Sequence, residues 1–237
     1  SLRFGGNPHS QVWFSGHLGW VHDSLFPLQD VGVLEYQAPQ LAAACLAAAF
    51  QGSCEEAVVL DVACGTGLAA QELQARGFRH LHGLDGSPEM LACAHRKGLY
   101  QELRQCVLGQ EALPAPEGHY DIVLIVGALS EGQVPAGVVP ELLRVTKPGG
   151  WVCLTTRRDA GNLRYEAELR RRLDELEQQG AWEKVAAQEV GRWEKAAQGL
   201  GYISGVVYLY RVEGGAPDAA RGAFEGQDLA LEDAKQQ

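Results

Sequence analysis

The stretch Val58-Val59-Leu60-Asp61-Val62-Ala63-Cys64-Gly65-Thr66-Gly67-Leu68-Ala69-Ala70 decides how this chain is read. It opens as an apolar, β-branched run, passes through a glycine-rich turn and continues from Leu68 in good helix formers. Strand, tight turn and helix N-terminus in that order make a small-molecule site. The glycines let a ligand approach the backbone, and the free N–H groups of the first helical turn point toward it.

Working outward, the same alternation repeats. A helix over 39–50 is expected from an alanine-rich run with Pro39 in its first turn. The first strand (57–63) leads to a helix over 68–76 that Gly77 stops. A short strand over 80–84 ends at Asp85. Ser87 then reads as an N-cap with Pro88 behind it, opening a helix that runs to about Gly98. A third strand is expected at 103–108. The continuous apolar run 120–127 has the composition of a central parallel strand covered on both faces. A helix over 138–145, a Lys147-Pro148-Gly149-Gly150 turn and a fifth strand over 151–156 follow. The pattern predicts an α/β protein with a doubly wound, Rossmann-like sheet.

Beyond it, residues 163–179 read as a long charged amphipathic helix with Leu169, Leu173 and Leu176 on one face. Strands at 184–190 and 202–211 would form an antiparallel pair closing one edge, bringing the sheet to seven strands, mostly parallel with an antiparallel edge strand. Residues 1–28 read as a flexible segment whose Trp13, Phe14 and Trp20 could form a lid, residues 29–213 as one domain, and residues 214–237 as a disordered tail.

Composition limits the partners. The net charge of −10 argues against electrostatically driven nucleic-acid binding, which needs basic surface to neutralise phosphates. No apolar run is long enough to span a bilayer. Six scattered cysteines form no CxxC pair and no zinc spacing, so reduced, packed thiols in a reducing compartment are expected, the cytoplasm first and the nucleus second. A monomer without metal is the simplest reading.

Gly65-x-Gly67-x-x-Ala70, with Asp85 about 20 residues on, also satisfies the dinucleotide fingerprint. Asp61 counts against it. A carboxylate at the strand end repels a pyrophosphate and suits a ligand with a cationic end, or it holds the loop through backbone N–H groups. Asp85 could grip both hydroxyls of a ribose or simply cap the following helix.

Four blocks in order carry a resemblance: Leu60-Asp-Val-Ala-Cys-Gly-Thr-Gly, Gly83-Leu-Asp-Gly-Ser-Pro-Glu-Met, Leu113-Pro-Ala-Pro-Glu-Gly-His-Tyr-Asp and Leu143-Arg-Val-Thr-Lys-Pro-Gly-Gly. Together they resemble the class I S-adenosylmethionine methyltransferase family, over roughly residues 29 to 212. The runs from Val126 to Pro135 and from Ser204 to Arg211 narrow the likeness within it. Ahead of Gln29 the chain departs from the pattern, reading Trp20-Val-His-Asp-Ser-Leu-Phe-Pro-Leu.

The resemblance implies S-adenosylmethionine as cofactor and an unidentified small-molecule or protein acceptor. Asp61, Ala63, Gly65, Thr66 and Gly67 would cradle the methionine part, and Asp85 would hold the ribose. Gly86 and Met90 would lie beside the adenine, and Gln110 or Glu111 would accept from its amino group. Val126 and Gly127 would lie near the sulfur and its methyl, with Ala128 beside them. The run from Gly127 lacks the Asn/Asp-Pro-Pro-Tyr that amino-group methylases of adenine and glutamine place there. Ser130, Glu131, Tyr165, Trp182 and Trp193 stand as acceptor-side candidates. Each has a plainer reading, as loop acid, surface tyrosine or helix-packing indole. His17, His22 and His119 could serve as bases or be surface histidines. Arg170, Arg171 and Arg172 are either a solvated face or a site for an acidic acceptor. A cofactor-binding module that transfers no methyl is the alternative reading.

Overall fold

The computed structural model describes residues 36–195 and 201–214. Helix α1 (Ala38–Ala49) precedes β1 (Val58–Val62), α2 (Leu68–Ala75), β2 (His80–Asp85), α3 (Pro88–Arg96) and β3 (Glu102–Gln105). Then come β4 (Tyr120–Leu129), a 3-10 turn (Ala136–Val138), α4 (Val139–Val145) and β5 (Thr146–Arg158). Helix α5 (Leu163–Gln178) and strands β6 (Trp182–Lys195) and β7 (Tyr202–Val212) complete the domain. The seven strands lie in the order β3-β2-β1-β4-β5-β7-β6. The β1–β2, β1–β4, β2–β3 and β4–β5 pairs are parallel. Strand β7 runs antiparallel to both β5 and β6 and so closes that edge.

The core is made by period-two alternation in the central strands. Val59, Ile122 and Leu124 face one way and pack with Ala42 and Leu46 of α1 and Ala70 and Leu73 of α2. Leu60, Val62, Val123 and Ile125 face the other way, toward Val139 and Leu142 of α4 and Leu169 and Leu173 of α5. A strand covered on both faces must be apolar at every position, and this is why residues 120–127 read as an unbroken run. Truncating a fully buried leucine such as Leu124 to alanine would cost about 2–5 kcal/mol.

Local chemistry sets the helix ends as expected. The Ser87 hydroxyl accepts from the Met90 N–H at 3.2 Å, with Pro88 in the first turn. Tyr165, Leu169 and Leu173, spaced by four, form the buried stripe of α5.

Several boundaries differ from the sequence reading. The third strand stops at Gln105, and residues 106–111 form a loop. Strand β6 is twice the expected length, because its pairing with β7 continues past a register shift between Val190 and Glu194. The shift carries Trp193 over Gly205, where a Cβ would lie 2.2 Å from the indole. Lys147-Pro148-Gly149-Gly150 is not a turn ahead of the fifth strand but a bulge within it, between the Tyr120–Thr146 and Ile122–Trp151 pairings. Gly149 has φ +74°, and at Gly150 a Cβ would meet backbone oxygens of Lys147 and Asp121 at 2.8 and 2.9 Å. Asp121 ties the bulge down, accepting from Lys147 Nζ at 2.7 Å and from the Val58 N–H at 2.9 Å. The expectations for residues 1–28 and for the tail beyond 214 lie outside the described residues.

Candidate cofactor-binding site

Strand order reverses between β1 and β4, and ligands of such sheets bind outside the carboxyl ends of the strands at this point. The chain leaves β1 through residues 63–67. Ala63 has φ 56°, the one positive value on a non-glycine among the described residues, and Gly65 and Gly67 have φ 53° and 85°. This left-handed backbone costs an L-residue about 1–2 kcal/mol, which explains the glycines and marks Ala63 as held by its surroundings.

The turn is held by its neighbours. The Cys64 N–H donates to the Leu84 carbonyl at 2.9 Å. Asp85 ties the turn after β1 to the start of α3, accepting from the Gly65 N–H at 2.8 Å and from the Ser87 N–H at 2.9 Å. The Cys106 N–H donates to the Asp85 carbonyl, fixing the start of the loop after β3. Asp61 lies beneath the turn and accepts from the Tyr100 hydroxyl at 2.7 Å. Both aspartates are buried, at 2% and 3% exposure. Burial pushes the Asp61 carboxyl up to about 7; the Tyr100 hydrogen bond opposes this, and the charge of Asp85 adds to it. The same burial and the two carboxylates push the Cys64 thiol far upward, so it is an inert packing group.

The remaining sequence-derived residues divide clearly. Thr66 is half-buried in the turn, and Gly86 follows Asp85 directly. Met90 is half-buried in the first turn of α3. Val126 packs on the α1/α2 side of the core, and the Gly127 N–H donates to Thr155 Oγ1 at 2.9 Å. Gly127 has φ +77°, and a Cβ there would lie 2.0 Å from the Tyr36 hydroxyl. Gln110 and Glu111 stand apart on the exposed loop after β3, where Glu111 accepts from the Val107 N–H at 2.9 Å.

On the acceptor side, Tyr36, Gly127, Ser130, Gln133, Thr155 and Trp193 line a small cleft at the carboxyl ends of β4 and β5. Ser130 is buried and donates to Gln133 at 2.9 Å, while Glu131 is exposed with its backbone N–H on Asn162. Tyr165 is not a surface tyrosine. It is buried on α5, and its hydroxyl donates to the Val134 carbonyl at 2.6 Å. Trp182 stacks on Tyr210 at 4.5 Å, within the core. Arg171 and Arg172 pair with Glu175 and Glu168 one turn away, as a solvated face does, while Arg170 pairs with the buried Glu166, which Arg158 also contacts. His119 packs edge-on against Tyr120 at the foot of β4, away from the cleft. Trp13, Phe14, His17, Trp20 and His22 lie outside the described residues. Sequence reasoning missed Tyr36, Tyr100, Thr155 and Asn162. Only Tyr100 left a trace: Gly83 in mid-strand marks a close approach, and a Cβ there would meet Leu103 at 2.7 Å, Cys64 at 3.0 Å and the Tyr100 ring at 3.1 Å.

The donor set can be tested against the expected ligand. Two buried carboxylates and a glycine cradle suit a ligand that offers hydroxyls and a cation, and disfavour a pyrophosphate. Asp85 already turns both carboxylate oxygens toward backbone N–H groups at the end of β2, and a carboxylate there has the chemistry to accept from a pair of ribose hydroxyls.

A methyltransferase domain family matches residues 60–154, from β1 into β5. With the seven-stranded sheet, this match marks residues 60–154 as a methyltransferase domain of the class I fold. It is similar to Methyltransferase-like protein 27 of Homo sapiens, with 59% identity over 164 residues, or 69% of this chain and 66% of that protein. It is also 34% identical over 106 residues to a Ubiquinone biosynthesis O-methyltransferase of Paraburkholderia xenovorans, covering 41% of this chain and 43% of that enzyme. The matches thus span under two thirds of these relatives. Among solved structures, that of the [4+2]-cyclase SpnF aligns with a TM-score of 0.57 at 20% identity, covering 75% of this chain and 82% of that one. That likeness speaks for the fold alone, and its name shows that the fold hosts more than one reaction.

Proposed function

We propose that this protein transfers the methyl group of S-adenosylmethionine to a small molecule or a protein side chain. The observation that carries the reading is the pair of buried carboxylates, Asp61 and Asp85, closing on a left-handed glycine turn at the sheet's switch point. In this reading Asp61, Ala63, Gly65, Thr66 and Gly67 hold the amino-acid end and Asp85 the ribose. Gly86 and Met90 flank the base, and Gln110 or Glu111 caps its amino group. Val126 and Gly127 stand at the reacting end. The cofactor supplies a methyl group already activated by a positively charged sulfur.

The chain's own task is then positioning and exclusion of water. Gly127 lets the Tyr36 hydroxyl approach the end of β4, and Thr155 accepts its N–H. Tyr36 and Trp193 supply aromatic walls, while Ser130 and Gln133 supply polar atoms for the acceptor. A base is needed only if the acceptor must lose a proton. The acidic charge favours a non-nucleic-acid acceptor. The same reading takes the protein as a monomer of the reducing cytoplasm, with the nucleus second, that works without a membrane. Among the described residues no helix is long and apolar enough to cross a bilayer.

Isothermal calorimetry with S-adenosylmethionine, followed by transfer of tritiated methyl into the small-molecule and protein fractions of a lysate, tests the function. One-site binding with label transferred supports it. Binding without transfer to any fraction points to a cofactor-binding module, and no binding at millimolar cofactor ends the reading.

A further inference from the structure

Tyr100 lies in the connection between α3 and β3, and it is built into the glycine turn from below. Its hydroxyl donates to Asp61 Oδ2 at 2.7 Å. Its ring edges lie 3.1 Å from where a Cβ would stand on Gly67 and on Gly83. Gly83 is the register partner of Asp61 on β2, and the space left by its missing side chain is shared by Leu103, 2.7 Å from where a Cβ would stand, and the Tyr100 ring. The Cys64 sulfur would be 3.0 Å from the same Gly83 Cβ, so turn, strand and ring share one contact zone.

The groups facing Asp61 are therefore Tyr100 from the α3–β3 connection, Cys64 from the turn and Asp85 from the end of β2. Cys64 is uncharged and Asp85 is repulsive. Tyr100 is the donor among them.

We propose that Tyr100 is a positioning residue of the cofactor site, whose hydroxyl holds the Asp61 carboxylate in place and in its charged form. This rests on the reading above, in which Asp61 receives the cationic amino-acid end of the cofactor. A phenol hydroxyl donated to a carboxylate stabilises the ionised state, and burial and the Asp85 charge work against it. Without the hydroxyl, Asp61 keeps its proton to higher pH, and a ligand that needs the carboxylate binds the smaller ionised fraction. The resulting loss of affinity is largest in acid and vanishes in base.

The test is binding of S-adenosylhomocysteine by calorimetry to the full chain and to Tyr100→Phe, at half-unit steps from pH 5.5 to 8.5. The ligand's own titration cancels in the ratio of the two dissociation constants. The expected ratio is five- to tenfold at pH 6 and within twofold at pH 8.5. A ratio that stays constant across the range, whether at unity or above, overturns the proposal, because a purely structural role weakens binding equally at every pH. Asp61→Asn supplies a second reading should Tyr100→Phe fold poorly. Its affinity is expected to be lower and flat over the range, and an unchanged wild-type pH profile in that variant overturns the proposal as well. Absence of binding by the unmodified protein at all pH values would instead overturn the cofactor reading itself.

Discussion

At the scale of single residues, Asp85 does two jobs with one carboxylate. It accepts the N–H group of Gly65 in the turn after β1 and that of Ser87 at the start of α3, and in the proposed reading it also receives the ribose. Asparagine can serve only one of those N–H groups and leaves the other buried without a partner, a loss of about 1–3 kcal/mol. Asp85→Asn is therefore expected to weaken S-adenosylmethionine binding at least tenfold by calorimetry and to lower the melting temperature by several degrees; a variant with both unchanged would show that Asp85 is a plain helix cap. Asp61, Asp85 and the glycines were legible in the sequence because strand, turn and helix follow one another within a short stretch of chain. Tyr100 was not, because its partner is 39 residues away and a lone aromatic in a connector carries no period. Tyr165 was misread because one residue at the head of a charged helix shows no face until the stripe through Leu169 and Leu173 is placed against a core.

At the scale of elements, alternation of apolar strands with capped helices gave away the sheet and the order of its parts. What periodicity could not show is where a strand tolerates interruption. The Lys147–Gly150 bulge looks like a turn because its glycines have turn geometry, yet pairing resumes beyond it with Ile122 opposite Trp151. Asp121 holds it at the end of the sheet remote from the crevice, through Lys147 and the Val58 N–H. Asp121→Ala should accordingly cost about 1–3 kcal/mol in urea unfolding, from the unpaired N–H and the released lysine. The dissociation constant for S-adenosylhomocysteine should stay within twofold. Loss of binding without loss of stability would mean that the bulge communicates with the crevice.

At the scale of the whole molecule, placing two carboxylates side by side in a buried crevice makes stability depend on pH. Asp61 titrates at about 7 in the folded chain and near 3.9 when unfolded. Between these values the folded state holds the extra proton, so this group's contribution falls as pH rises from about 4 to about 7 and is level above that. Asp61→Asn removes the titration. Its stability relative to the parent chain, from urea midpoints, should increase from pH 5 to pH 8 by on the order of a few kcal/mol. Parallel curves for the two proteins would show that Asp61 is ionised throughout. The sequence shows the acid but not this behaviour, which arises from burial and from Asp85 across a strand boundary.

The register shift in β6 has an optical consequence. It presses the Trp193 indole onto Gly205, out of water, with Tyr36 edge-on at 6.3 Å and the acceptor cleft alongside. Indole emission responds to the polarity and quenching groups around the ring, so this tryptophan sits where arrival of an acceptor would change both. Candidate acceptors can therefore be screened by fluorescence before any product is known. A ligand that enters the cleft should shift the emission of the parent chain and leave that of Trp193→Phe unchanged.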